Sequence, residues 1–132
     1  MTSKIHSNCI CGNTEPYEKC CEPYLLGNAV PLTAEALMRS RYTAYVQANI
    51  AYIQDTMREK AAEGFDPVQA EHWTKSVKWK RLKVLRTFPD ETDENVYYVE
   101  FIAFYNVRGR EHHLSELSKF KRVEGKWYYT GF

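Results

Sequence analysis

At 132 residues, with 44% apolar and 27% charged residues, the chain has the composition of a soluble globular domain and not of a disordered one. Eighteen basic against seventeen acidic residues leave a formal charge of +1, so no whole-molecule field draws it to nucleic acid or an anionic membrane. The longest apolar stretch, Val96 to Val107, is interrupted by Glu100 and is too short to span a bilayer. Met1 to His6 lacks the apolar run of a secretory signal, which predicts a cytoplasmic protein.

The four cysteines come first in chain order. Cys9, Cys11, Cys20 and Cys21 fall within thirteen residues, written Cys-x-Cys-x8-Cys-Cys. A disulfide framework spreads its bridges to close long loops, which this cluster cannot do. Two pairs of soft ligands on a short loop suit tetrahedral Zn²⁺ instead. Gly12 can take positive φ and so turn backbone N–H groups toward the thiolates. Lys4 and Lys19 are placed to offset part of the negative charge, and His6 is a lesser alternative ligand. Unliganded thiols and a redox pair are the competing readings. The expectation is one structural zinc ion in residues 1–30, a knuckle and linker, followed by a domain over 31–132.

Thr33 reads as the N-cap of a helix from Ala34, with a stripe of Met38, Tyr42, Tyr45, Asn49, Tyr52 and Ile53. Asn49 marks a break into a second helix that ends at Gly64. Asp66-Pro67 then starts a third helix, as N-cap and first position, running toward Thr74. From Ser76 the period becomes two. Val77 and Trp79 share one parity and Leu82 and Val84 the other, which predicts a bulge near Arg81. Pro89 to Asp93 is a turn. Val96 to Val107 is apolar on both parities, as in a central strand covered on both sides. A third strand follows over Glu111 to Val123. The Glu124-Gly125 turn leads to a last strand over Lys126 to Thr130. Helices first and a meander afterwards predict an α+β fold, a curled antiparallel sheet over N-terminal helices.

In the third strand Leu114, Glu116, Ser118 and Phe120 share one face, and a carboxylate set among them needs a partner. At 100° per residue Arg41 lies about 60° from the centre of the Met38–Tyr45 stripe. Arg41 and Glu116 are therefore expected to form an ion pair inside the curl, with Tyr45 and Ser118 close by. The pair either pins helix to sheet or lines a ligand pocket. His112 and His113 point to opposite faces, at the surface, and His72 beside Trp73 is expected to pack. The aromatic residues are assigned mainly to the core. The basic run Lys75 to Lys83 reads as a solvated strand edge or, less simply, a surface for RNA or an acidic partner. No phosphate loop, nucleophile elbow or His-Glu-x-x-His helix is present, so no catalytic constellation emerges.

The segment Cys9-Ile10-Cys11-Gly12-Asn13 with Tyr17-x-x-Cys20-Cys21 resembles the SEC-C zinc knuckle at the C-terminus of the SecA translocase motor. Leu37-Met38-Arg39-Ser40-Arg41-Tyr42, Glu116-x-Ser118-x-Phe120 and Gly125-Lys126-Trp127-Tyr128-Tyr129 resemble the bacterial YchJ-like proteins. Many of these add a second knuckle after the Trp-Tyr-Tyr strand. The resemblance implies a nuclear-transport-factor-2-like cone, a fold that commonly encloses a cavity, and bound zinc, but no established reaction. It favours an interaction module that docks its knuckle on a protein or ribosomal partner. The alternative is a small-molecule binder, isomerase or hydrolase using Arg41, Tyr45, Glu116 and Ser118 in the cone.

Overall fold

The computed structural model describes residues 8–131, so Lys4 and His6 lie outside the described residues. A 3₁₀ turn at Tyr17–Lys19 and helix α1 (Glu22–Leu25) precede α2 (Ala34–Val46), α3 (Ile50–Asp55), α4 (Glu59–Glu63) and α5 (Pro67–Ser76). Strands β1 (Lys78–Pro89), β2 (Val96–Val107), β3 (Arg110–Val123) and β4 (Lys126–Gly131) then form one antiparallel sheet in sequence order. No helix among the described residues is long and apolar enough to cross a membrane.

Local chemistry sets most boundaries. The Thr33 hydroxyl accepts from the Ala36 amide at 3.0 Å, and Asn49 Oδ1 from the Tyr52 amide at 3.1 Å, capping α2 and α3. Asp66 Oδ1 accepts from Val68 and Gln69, with Pro67 in the first turn of α5. Arg108-Gly109 and Glu124-Gly125 have positive φ at both positions, the twist that a two-residue hairpin requires. The bulge expected near Arg81 lies between Trp79 and Arg81. A second register shift, between Val84 and Arg86, leaves Leu85 exposed.

Three expectations need correction. The second helix is split at Thr56–Arg58, because that backbone is taken by β4. The Tyr129 amide donates to the Thr56 carbonyl at 2.8 Å, and the Arg58 amide to the Tyr129 carbonyl at 3.0 Å. Strand β2 is not covered on both sides. Its inner face carries the buried Val99, Phe101 and Ala103, while Tyr98, Glu100, Ile102 and Phe104 on the other parity are half-buried. Long cross-strand side chains shield that outer face: Arg81 lies 3.9 Å above the Phe104 ring, and Arg86 Nε meets Glu100 at 2.6 Å. Finally, His72 is exposed and does not pack. Trp73 beside it packs edge-on to Trp79 and Tyr105 while staying partly exposed.

No residue of α2 is fully exposed. Its Leu37, Met38 and Tyr42 join Val99, Phe101, Phe120 and Trp127 in the main core. The Trp127 indole also donates to the Leu32 carbonyl at 3.2 Å, tying β4 to the segment before α2. A second, separate apolar cluster surrounds the cysteines.

Phe120 is 1% exposed at the centre of the main core. Phe120→Ala is expected to cost about 3–5 kcal/mol, from lost burial plus the cavity left behind. Urea unfolding of the variant should show the midpoint falling at unchanged slope; an unaltered midpoint would remove Phe120 from the load of the core.

Candidate metal centre and cone cavity

The cysteine loop is built by short-range hydrogen bonds. The Cys9 amide donates to the Glu15 carbonyl at 2.8 Å, and the Gly12 amide to the Cys9 carbonyl at 3.0 Å. Gly12 has φ of +96°, and a Cβ there would sit 3.0 Å from the Leu82 carbonyl oxygen. Glycine is therefore required by conformation and by the close approach of the loop to β1. The 3₁₀ turn then delivers Cys20 and Cys21 at the start of α1.

All four sulfurs lie within 4.8 Å of one another, with Cys11 and Cys20 at 3.5 Å and Cys20 and Cys21 at 3.9 Å. None is in a disulfide. A tetrahedron of sulfurs about 2.3 Å from a central ion has edges of about 3.8 Å, so this set could hold one metal ion. Cys9, Cys11 and Cys21 are buried, and Cys20 is half-buried. Donation from Cys21 lowers the Cys11 thiol to about 5 against the opposing effect of burial. Burial pushes Cys20 up to about 11, and donation to Cys11 together with burial pushes Cys21 up. Burial opposes ionisation at Cys11, Cys20 and Cys21, so a full set of thiolates calls for a cation among them.

Two residues that support the cluster escaped sequence reasoning. Arg39 Nη1 donates to the Cys11 carbonyl at 2.6 Å while its Nε meets Glu35 at 3.0 Å. The Thr43 hydroxyl contacts Cys21 Sγ at 3.3 Å. Glu35, Arg39 and Thr43 are spaced by four and so form one line along α2, a signal present in the sequence. Lys19, expected to offset thiolate charge, is exposed at the rim of the cluster.

Arg41, Tyr45, Glu116 and Ser118 all line a cavity of about 150 Å³ between α2 and the sheet. The direct Arg41–Glu116 ion pair, however, is not formed. Arg41 Nη1 donates to the Ile53 carbonyl at 2.8 Å and to the Thr56 hydroxyl at 2.6 Å, and its guanidinium lies 4.6 Å from the centre of the Tyr129 ring. The Tyr129 hydroxyl donates to Glu116 Oε2 at 3.0 Å, and the Ser118 hydroxyl donates to the same oxygen. Tyr129 therefore stands between the two charges, its ring toward one and its hydroxyl toward the other. Burial pulls Arg41 below the ordinary arginine value, against the influence of Tyr45, Tyr129, Tyr52 and Glu116. Burial and then the Glu116 carboxylate push Tyr129 up. Tyr129 was missed, although its parity with the buried Trp127 puts both on the inner face.

The remaining candidates stay apart. His112 stacks on Tyr105 and His113 leans on Phe104, on opposite faces, and both are exposed. Lys78, Lys80, Arg81 and Lys83 are exposed on β1, an edge strand of the sheet.

Residues 33–131 match the family described as YchJ, middle NTF2-like domain. A UPF0225 protein of Geobacter sulfurreducens is 42% identical over 124 residues, which cover 92% of this chain and 76% of that protein. Among solved structures, RPA3114, a SEC-C motif containing protein from Rhodopseudomonas palustris, is similar with TM-score 0.85 and 33% identity, covering 94% of this chain and 95% of that one. A SEC-C motif containing protein from Psychrobacter arcticus is similar with TM-score 0.77 and 28% identity, covering 94% of this chain and 75% of that one. On a family match over residues 33–131, and on relatives that cover 92% of the chain, the chain belongs to the YchJ-like family.

Proposed function

We propose that the protein is a zinc-binding accessory module of the cytoplasm, holding one structural Zn²⁺ through Cys9, Cys11, Cys20 and Cys21. The observation that carries this reading is the gathering of four free sulfurs within 4.8 Å on one short loop. Sulfur ligands in a tetrahedral set favour zinc, and four protein ligands close its shell, so the ion holds structure and activates no water. Free thiols in such number suit a reducing compartment. The knuckle and linker (1–30) and the cone (31–132) act as two folding units, a division supported by their separate apolar clusters. The knuckle docks on a protein or ribosomal partner. Support comes from Ile10, Leu26, Val30 and Leu32, large apolar side chains left exposed along the loop and linker.

Protein purified under reducing conditions without chelator should contain one equivalent of zinc by elemental analysis. Cys20→Ser should abolish stoichiometric zinc while amide protection in β2 and β3 persists. Zinc-free wild-type protein, or melting of the sheet with the metal, would sink the corresponding half of the proposal.

Gly12→Ala imposes both strain at φ of +96° and contact with the Leu82 carbonyl. It is expected to destabilise the docked loop by about 1–3 kcal/mol, visible as weaker zinc retention in a chelator competition. Retention equal to wild type would show that the loop does not need its seat on β1.

The docking role is checked by co-sedimentation with purified ribosomes and by affinity capture from a lysate, wild type against Cys20→Ser. Partner retention should require the intact cysteine set; equal retention by both chains argues against the knuckle as the docking surface.

A further inference from the structure

The cone cavity holds polar groups that the fold has not used. Arg41 is only 6% exposed, yet only its Nη1 is engaged, and Nε and Nη2 have no partner among the described residues. Glu116 receives both its hydroxyl donors on Oε2, which leaves Oε1 free. Those two Arg41 nitrogens keep access to the cavity, and the Tyr42 hydroxyl and Trp79 indole N–H, which line it too, are buried with no partner at all. The cavity thus offers unspent hydrogen-bonding capacity that a ligand could satisfy. Arg41 and Glu116 line the same cavity, whose walls include Met38, Phe101 and Phe120. Trp73 and Leu114 also line it and are more than one-third exposed, so the cavity meets solvent at an apolar rim.

We infer that this cavity binds a small neutral ring compound bearing a carbonyl next to an N–H or O–H, its carbonyl taken by Arg41 and its donor by Glu116. Three features select that chemistry. The volume of about 150 Å³ matches a cavity known to accommodate one benzene ring. The walls are apolar and aromatic, which favours a flat hydrophobic body. The two charges of the site balance each other, so a ligand with a net charge would leave one of them uncompensated. An acceptor beside a donor, as in a carboxamide, answers both groups at once. This site shares no residue with the cysteine set.

The test is titration of the full chain, as purified, with benzamide, benzoate and toluene, followed by two-dimensional amide NMR. Benzamide should shift the amides of Arg41, Phe101 and Glu116 and bind at least about tenfold more tightly than toluene or benzoate, the factor expected for hydrogen bonds to charged groups. Glu116→Leu should erase the benzamide advantage and leave toluene binding equal or stronger. If that variant does not fold, Glu116→Gln and the wild-type ranking decide the matter, with Gln expected to weaken benzamide several-fold. Toluene equal to benzamide makes the cavity merely apolar, and benzoate ahead of both makes it an anion site. Absence of shifts at these residues makes it a water pocket. Each of those results overturns the proposal.

Discussion

Thr43 sets its hydroxyl against the Cys21 sulfur, while two residues earlier Arg41 reaches across to the end of α3 at the Ile53 carbonyl. Both side chains leave the same turn of α2, so one helix has to satisfy the cysteine loop and the cone together. That explains why no residue from Ala34 to Val46 is fully exposed. A helix with one apolar stripe would leave its other side to water. Here Arg39 and Thr43 face the cysteine loop, Ser40 meets Tyr52 of α3 at 2.7 Å, and Met38 and Tyr42 face the sheet. The position of α2 thereby ties the geometry at the sulfurs to the geometry at the cavity.

The electrostatics of the two ends differ in kind. At the cysteines, burial opposes ionisation and the four sulfurs repel once ionised, so the full charged set requires a cation from outside the chain. Within the cone both signs are supplied by the chain itself, and the fold keeps them from direct contact. A buried ion pair returns its desolvation cost only with excellent geometry and full hydrogen bonding. Tyr129 offers a different solution. Its ring face receives Arg41 as a cation–π contact, and its hydroxyl gives Glu116 a hydrogen bond without demanding that the charges meet.

Much of this was legible in the sequence wherever the determinant was local. Thr33, Asn49 and Asp66-Pro67 cap their helices through atoms two or three residues away, and the Cys-x-Cys-x8-Cys-Cys spacing needs no long-range information. The change of parity after Trp79 revealed the first bulge in the same way. Three of the failures are non-local. Thr56–Arg58 leaves the helix because β4, some seventy residues later, offers it backbone partners. The outer face of β2 reads as apolar and buried, but arginines from β1 cover it in place of a helix layer. Arg41 and Glu116 were each placed on the right face by period alone. Which atoms they would meet depended on Tyr129, whose position is fixed by pairing with Phe120 across the last hairpin.

That dependence on β4 reaches further than one hydrogen bond. The Tyr129 backbone is held on one side by Phe120 and on the other by Thr56 and Arg58, which fixes where its ring starts from. Thr56 in turn offers its hydroxyl to Arg41. Arg41 is consequently clamped by the segment that β4 recruits and stacked on the residue that does the recruiting. Held this way on one nitrogen and one face, the guanidinium retains its other donors in a fixed direction. The same contacts that stabilise the α3–β4 junction therefore preorganise Arg41, and an ordering cost that a ligand would otherwise meet on binding has been met during folding.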